Sequence, residues 1–167
     1  QQWVRGKVLQ INNFINMPYT DGDQDCYGLV RRYYLSEYGI LLRNYARPIG
    51  FDHEGLDLIF DNFQKEGFES LKTFSQNSLE KGDGILLQIA GGKAVNHVGV
   101  YLGNGYFLHH LYGKLSEVSY FDPRWFARTA FVVRHPDVRE ANCKAIQQVN
   151  LLDHLPPHLK ERMGYGN

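Results

Sequence analysis

The sequence predicts an α+β fold in which N-terminal helices pack on an antiparallel sheet. Apolar residues at helical spacing dominate the first part of the chain, and from Leu79 onward short apolar runs alternate with glycine-containing turns. Turns of only a few residues favour antiparallel pairing of the strands that they join. Helices therefore come first and strands follow.

Apolar spacings of three and four predict helices over residues 3–15, 26–37 and 56–63. Asp25 is placed to cap the second helix, because its carboxylate can accept hydrogen bonds from the free amides of the first turn. Gly39 and Gly67 are suited to end the second and third helices, because glycine readily adopts a left-handed backbone.

Strands are predicted over residues 85–89, 96–102, 106–111, 115–120 and 129–134, with residues 68–74 as a short strand or a connector. Pro136 closes this pattern, and residues 137–150 are compatible with a further helix. We assign residues 1–135 to one domain and residues 136–167 to a C-terminal extension that could serve in docking.

Composition excludes several classes of function. The 167 residues carry 18 basic and 18 acidic side chains, a balance that predicts neither nucleic acid nor an anionic membrane as a partner. No apolar run reaches membrane-spanning length, and we expect no signal peptide. The only cysteines, Cys26 and Cys143, lie in different contexts and predict neither a disulfide nor a metal knuckle.

Cys26 is the candidate nucleophile. It falls in the first turn of the second predicted helix, where the helix dipole and free N–H groups favour a thiolate. Cysteine is also among the most buried residue types, so a purely structural role in the core is the alternative interpretation.

A histidine-bearing hairpin supplies the candidate base. If residues 103–105 form a three-residue loop, Gly99 lies opposite His109 and His97 becomes the diagonal neighbour of His109 on one face. A two-residue turn would instead bring His110 to that face. We expect Gly99 to leave space beside the base. The histidines could alternatively hold zinc, but they lack a third ligand at tight spacing, so we predict no metal and no cofactor.

These motifs together resemble the NlpC/P60 family of papain-like cysteine peptidases. The resemblance is carried, in order, by Asp25–Val30, Lys81–Asp83, His97–Gly105 and His109. It implies a papain-like fold, residues 1–135 as the peptidase domain, Cys26 as nucleophile, His97 as general base and His109 as the orienting third residue. It also implies Tyr19 as an oxyanion donor.

The segments around Arg31–Ile40 and His109–Ser116 are similar, within that family, to peptidase domains of lambda-like phage tails. This implies a virion protein of the tail tip that acts in the bacterial periplasm or cell wall. Peptidoglycan stem peptides would be its substrate and other tail-tip proteins its partners. A structural tail subunit with an unused site, and a transferase or deamidase on the same scaffold, are the alternatives.

Overall fold

The computed structural model describes residues 10–48, 55, 57–143 and 158 of the chain. Its helices are α1 (Cys26–Tyr38), α2 (Leu58–Lys65) and α3 (Pro123–Ala127), and residues 136–143 are also helical. Its strands are β1 (Glu69–Ser70), β2 (Gly84–Leu87), β3 (His97–Gly103), β4 (Tyr106–His109), β5 (Glu117–Tyr120) and β6 (Thr129–Arg134). Two short 3-10 turns cover Gln10–Asn13 and Gln76–Ser78.

The six strands form one sheet in the order β1-β6-β2-β3-β4-β5, and each neighbouring pair is antiparallel. Helix α1 packs against β3 and β4, and with α2 it builds the main core on one face of the sheet. Side chains on the opposite face of the sheet form a smaller core that is rich in aromatic residues. Trp125 and Phe126 from α3 pack against this second core. The predicted α+β fold is confirmed.

Helix α1 begins and ends where the sequence predicts. Asp25 Oδ1 accepts a 2.8 Å hydrogen bond from the Gly28 amide, and Gly39 at φ 68° ends the helix in the left-handed conformation. Gly28 itself has no room for a side chain, because an added Cβ would lie 1.8 Å from the Asp23 carbonyl oxygen. The loop before Cys26 is therefore folded tightly over the first turn of α1.

The other predicted helices differ from the structure in extent. Helix α2 covers Leu58–Lys65 rather than residues 56–63, and residue 56 lies outside the described residues. Of the helix predicted over residues 3–15, residues 1–9 lie outside the described residues, and the remainder is the 3-10 turn Gln10–Asn13. Asn16 has φ 60°, a left-handed conformation that cannot continue a right-handed helix.

The β3–β4 hairpin reaches the predicted register by a different route. Its turn has two residues, Asn104 and Gly105, both at positive φ, and the register shifts between Tyr101 and Gly103. This bulge compensates for the shorter turn, so Gly99 still pairs with His109. The predicted three-residue loop is wrong, and the predicted pairing is confirmed.

Gly99 does not serve to leave space beside the base. A Cβ at this position would lie 2.7 Å from a ring carbon of Phe107 and 2.8 Å from the Leu108 carbonyl oxygen. The glycine is required because β4 approaches the β3 backbone closely at this pair.

Residues 136–143 pack on the sheet domain. Val138 is 2% exposed within the main core, and the Asn142 amide donates a 2.7 Å hydrogen bond to the Lys81 carbonyl. The rest of the predicted helix 137–150 lies outside the described residues. Within the part of the chain that the structure describes, every helix is too short or too polar to cross a lipid bilayer.

Candidate active site

Cys26 is the first residue of α1, and its side chain reaches the beginning of β3. The residue is 8% exposed, and its sulfur has backbone hydrogen bonds with Val98 and Tyr27. Val98 directly follows His97 in the sequence, so the sulfur lies against the strand end that carries the candidate base. Helix α1 and the β3–β4 hairpin are thus in contact at this point.

The protonation state of Cys26 differs from the expected thiolate. Burial, followed by the negative charge of Asp25, raises the pKa of the thiol to about 12. Backbone hydrogen bonds and the Arg47 guanidinium act in the opposite direction but do not outweigh burial. The same carboxylate that caps α1 thus opposes a second negative charge in the first helical turn.

A buried ion pair fixes the loop that leads into α1. Arg47 Nε lies 2.6 Å from Asp25 Oδ2, and the two side chains are 7% and 6% exposed. The guanidinium also donates a 2.8 Å hydrogen bond to the Gly22 carbonyl and a 2.6 Å bond to the Tyr45 carbonyl. Arg47 therefore ties the Asp-Gly loop before Cys26 to the irregular segment after α1.

His97 and His109 form a hydrogen-bonded pair. His97 Nε2 lies 3.0 Å from His109 Nδ1, and the two residues are 2% and 0% exposed. Phe107 stacks on His109 with ring centroids 4.2 Å apart, and Trp125 meets His109 edge-to-face at 5.1 Å. Since His97 Nε2 is hydrogen-bonded to His109, Nδ1 is the ring nitrogen of His97 that lies outside this pair.

Both imidazoles are neutral near physiological pH. Burial, followed by the charges of His109 and His110, lowers the pKa of His97 to about 3. Burial, followed by His110, lowers the pKa of His109 to about 4. At rest Cys26 is therefore a thiol and His97 is a neutral imidazole, which can accept a proton.

We expect these two histidines to make the fold sensitive to mild acid. In the unfolded chain they protonate near pH 6.5, whereas in the folded protein they stay neutral until the pH approaches about 4 and 3. Between these values the unfolded state binds more protons, so stability falls as the pH falls. Lowering the pH from 7 to 5 should cost about 4 kcal/mol of unfolding free energy, measured by urea titration at both values.

The control is a double variant, His97→Gln with His109→Gln, whose amides hydrogen-bond but do not titrate. Its unfolding free energy should change much less than that of the parent between the same pH values. An equal pH dependence in the two proteins would show that other groups cause the effect.

Tyr19 interacts electrostatically with Cys26. Burial, followed by the interactions with Cys26 and with the Asp25 carboxylate, raises the pKa of the Tyr19 hydroxyl well above its ordinary value. The hydroxyl is therefore protonated and able to donate. Its ring meets those of His110 and Tyr112 edge-to-face, each at 5.1 Å between centroids.

His110, the alternative third residue, points away from His97. Its Nε2 donates a 2.9 Å hydrogen bond to the Lys114 carbonyl, and the Met17 backbone also interacts with its ring. His109 is therefore the residue that the hairpin register places beside His97, and His110 instead supports the Tyr19 ring.

Ser116 connects the Tyr19 loop to the sheet. Its hydroxyl donates a 2.7 Å bond to the Phe14 carbonyl and accepts a 3.0 Å bond from the Met17 amide. Backbone hydrogen bonds from Asn16 to Ser116 and from Ser116 to Met17 add to this connection. The Ser116 bridge, as we call these four bonds, holds the chain before Tyr19 against the segment that joins β4 to β5.

Sequence reasoning missed the Asp25–Arg47 pair, the Ser116 bridge and the aromatic cover provided by Trp125. Arg47 stands in an irregular segment, and Ser116, which the sequence places in a predicted strand over residues 115–120, lies just before β5 (Glu117–Tyr120). Their partners are distant in the chain, so only the folded structure shows them. Among the described residues, no group of three or more His, Cys, Asp or Glu side chains is arranged to hold a metal ion.

Comparison with known sequences agrees with this geometry. A profile of the NlpC/P60 family matches residues 16–134. The chain is 32% identical over 147 residues to tail tip assembly protein K of Escherichia phage N15, covering 82% of this chain and 57% of that protein. It is 30% identical over 118 residues to tail tip assembly protein K of Escherichia phage lambda, covering 70% of this chain and 56% of that protein. The chain thus spans little more than half the length of these relatives.

Solved structures show the same fold. The NlpC/P60 domain of the peptidoglycan hydrolase SagA has a TM-score of 0.51 at 24% identity, with 78% of this chain and 97% of that chain covered. An NLP/P60-family protein of Staphylococcus aureus, described as similar to a lipoprotein, has a TM-score of 0.50 at 22% identity, with 80% and 40% covered. Since the family profile covers most of the chain, the chain belongs to the NlpC/P60 family.

Proposed function

We propose that this chain is a cysteine hydrolase of a phage tail tip that cleaves amide bonds in peptidoglycan stem peptides. The observation that carries the proposal is the position of the Cys26 sulfur, which has a backbone hydrogen bond with Val98, the residue after His97 at the start of β3. His97 Nε2 in turn lies 3.0 Å from His109 Nδ1 on β4. Membership of the NlpC/P60 family and similarity to the two phage proteins support the substrate class and the tail location.

The first half of the reaction forms an acyl-enzyme. His97 Nδ1 accepts the thiol proton while the Cys26 sulfur attacks the amide carbonyl carbon, which becomes tetrahedral. The Cys26 amide and the Tyr19 hydroxyl donate to the oxyanion. His97 then gives its proton to the amide nitrogen, the C–N bond breaks, and the amine leaves.

The second half regenerates the protein. Water enters in place of the amine, and His97 accepts one of its protons as the oxygen attacks the thioester carbon. The C–S bond then breaks, the sulfur takes the proton back from His97, and the carboxylic acid leaves. Because His97 is neutral at rest, it can begin each half-reaction as a base.

The test is digestion of defined, purified muropeptides by the reduced protein, followed by mass spectrometry of the products. Hydrolysis adds one water across the cleaved bond and yields a new amine and a new carboxylic acid. A transferase would instead join the acyl group to a second amine, and a deamidase would release ammonia. Intact muropeptides after prolonged digestion would refute the proposal.

Tyr19→Phe is expected to lower kcat about 100-fold, because it removes one of two oxyanion donors while retaining the ring that packs on His110. KM should change little, since the donor acts mainly on the tetrahedral state. The measurement is steady-state cleavage of the best muropeptide. Tyr112→Phe, at a 77% exposed ring on the other side of Tyr19, is the matched control and should retain parental activity. Equal kcat in the two variants would remove Tyr19 from the oxyanion site.

A structural tail-tip subunit with an unused site is the second candidate, and the closed environment of Cys26 favours it. Cys26 is 8% exposed and the pKa of its thiol is raised to about 12, so little thiolate is expected at neutral pH. A peptide electrophile shaped like the stem peptide distinguishes the two candidates. If the site is catalytic, the electrophile should form a covalent adduct with Cys26, and the adduct should form more slowly in the His97→Ala variant. If the site is unused, the parent protein should react no faster than His97→Ala.

A further inference from the structure

We propose that Ser119 and Glu117 are positioning residues, which act through His109 to hold His97 in the tautomer that can accept the Cys26 proton. This inference rests on the proposed function, because it concerns the base of the same site. It extends the hydrogen-bonded pair of imidazoles by two members, both on the edge strand β5.

The four side chains form a continuous series of hydrogen bonds across three strands. His97 Nε2 lies 3.0 Å from His109 Nδ1, and His109 Nε2 lies 2.8 Å from Ser119 Oγ. Ser119 Oγ in turn donates to Glu117 Oε1 at 3.1 Å. Glu117 pairs with His109 in the β4–β5 register, and its Oε1 also lies 3.5 Å from His109 Nε2.

The Glu117 carboxylate determines which group donates and which accepts in each hydrogen bond of this series. An ionised carboxylate can only accept hydrogen bonds, so the Ser119 hydroxyl must donate to Glu117 and offers a lone pair to His109. His109 then carries its proton on Nε2 and presents a bare Nδ1 to His97. His97 in turn carries its proton on Nε2, and its Nδ1 is left bare for the thiol of Cys26.

The opposite direction would disable the base. If the Ser119 hydroxyl donated to His109 Nε2, His109 would donate from Nδ1, and the proton of His97 would move to Nδ1. Without Glu117 these two arrangements differ little, because a hydroxyl and two imidazoles can each donate or accept. Glu117 is therefore the member that selects the productive arrangement.

The surroundings of His109 leave few other ways to orient it. Phe107 stacks on its face and Trp125 meets it edge-to-face, so its polar contacts run along the ring edge to His97 and Ser119. His110 is the other titratable neighbour that acts on His109, and its ring is turned toward Lys114. The Glu117 side chain is 56% exposed, so water stabilises its charge while Oε1 faces Ser119.

Nitrogen NMR of the full chain labelled with 15N-histidine tests the tautomers directly. In the parent, His97 and His109 should both show a protonated Nε2 and a bare Nδ1. Ser119→Ala and Glu117→Gln should shift both residues toward mixed tautomers, whereas Glu117→Asp should restore part of the parental pattern. Signals are assigned by their loss in His97→Gln and His109→Gln. Unchanged tautomers in Ser119→Ala and Glu117→Gln would overturn the inference.

Kinetics provide a second readout, given that the parent hydrolyses muropeptides. Ser119→Ala and Glu117→Gln should lower kcat about tenfold with KM unchanged. Glu69→Gln, at an exposed glutamate on β1 at the opposite edge of the sheet, should retain parental activity. Parental kcat in both β5 variants would count against the inference. An inactive parent with the expected tautomers would refute the proposed function and leave the positioning role supported.

Discussion

Replacing Cys26 by alanine should abolish muropeptide hydrolysis, with kcat falling at least about 10⁴-fold. In the proposed reaction the sulfur is the atom that forms the acyl-enzyme, so its removal leaves only substrate binding and oxyanion donors, which retain a small part of the catalysis. The fold should survive, because the change removes one atom from a residue that sits at the edge of the core and is 8% exposed. Mass spectrometry of the products measures the loss of activity, and a urea titration measures whether the stability of the fold is retained.

Cys143→Ala is the matched control, because Cys143 is the other free cysteine and is exposed. It should leave both activity and stability at the parental level. His97→Ala should be nearly as inactive as Cys26→Ala, since the raised pKa of the thiol makes an internal base necessary. His109→Ala should lose less, because it orients the base and does not itself react. A Cys26→Ala protein with parental activity would exclude this residue as the nucleophile.

Arg47→Ala should lower the free energy of unfolding by about 3–5 kcal/mol. Arg47 lies 2.6 Å from the Asp25 carboxylate, and both side chains are more than nine-tenths buried. Removing the guanidinium leaves a buried negative charge whose remaining hydrogen bonds come from the Gly28 and Gly22 amides. Those two bonds do not replace a charged partner that makes two contacts with the carboxylate.

Urea titration at neutral pH measures this effect, and Arg43→Ala is its control. The Arg43 side chain is 82% exposed and lies 4.0 Å from Glu66, so its removal should change stability by less than about 1 kcal/mol. Arg47→Lys should fall between the two, because lysine keeps the charge but lacks the planar fork. Similar losses for Arg47→Ala and Arg43→Ala would show that the buried pair contributes no more than a surface pair.

Local sequence patterns predicted those parts of the fold that depend on neighbouring residues. The start of α1 at Cys26 follows from an acidic cap and an apolar stripe, and its end follows from Gly39. The pairing of Gly99 with His109 was also predicted, although the turn that produces it was not, because a bulge compensated for one missing loop residue. Short-range rules cannot foresee such a compensation.

Contacts between distant segments were not predictable in this way. The thiolate expected at the start of α1 is a thiol, because Asp25 and burial outweigh the helix terminus once the chain has folded over it. The partner of Arg47 depends on where the irregular segment after α1 passes the first turn of that helix, and the contact of Glu117 with His109 depends on the β4–β5 register. Sequence reasoning therefore found the candidate residues of the site but not the charges that surround them.

The Ser116 bridge has a consequence for when the site can first exist during synthesis. It links Ser116 to Met17, which is 99 positions earlier in the chain, and to Phe14, which is 102 positions earlier. Contacts of such long range form only after the intervening chain is available, and they close late and slowly. Ser116 must therefore have left the ribosome before these bonds can form, so the proposed alignment of Cys26, His97 and Tyr19 is expected only after synthesis has passed this residue.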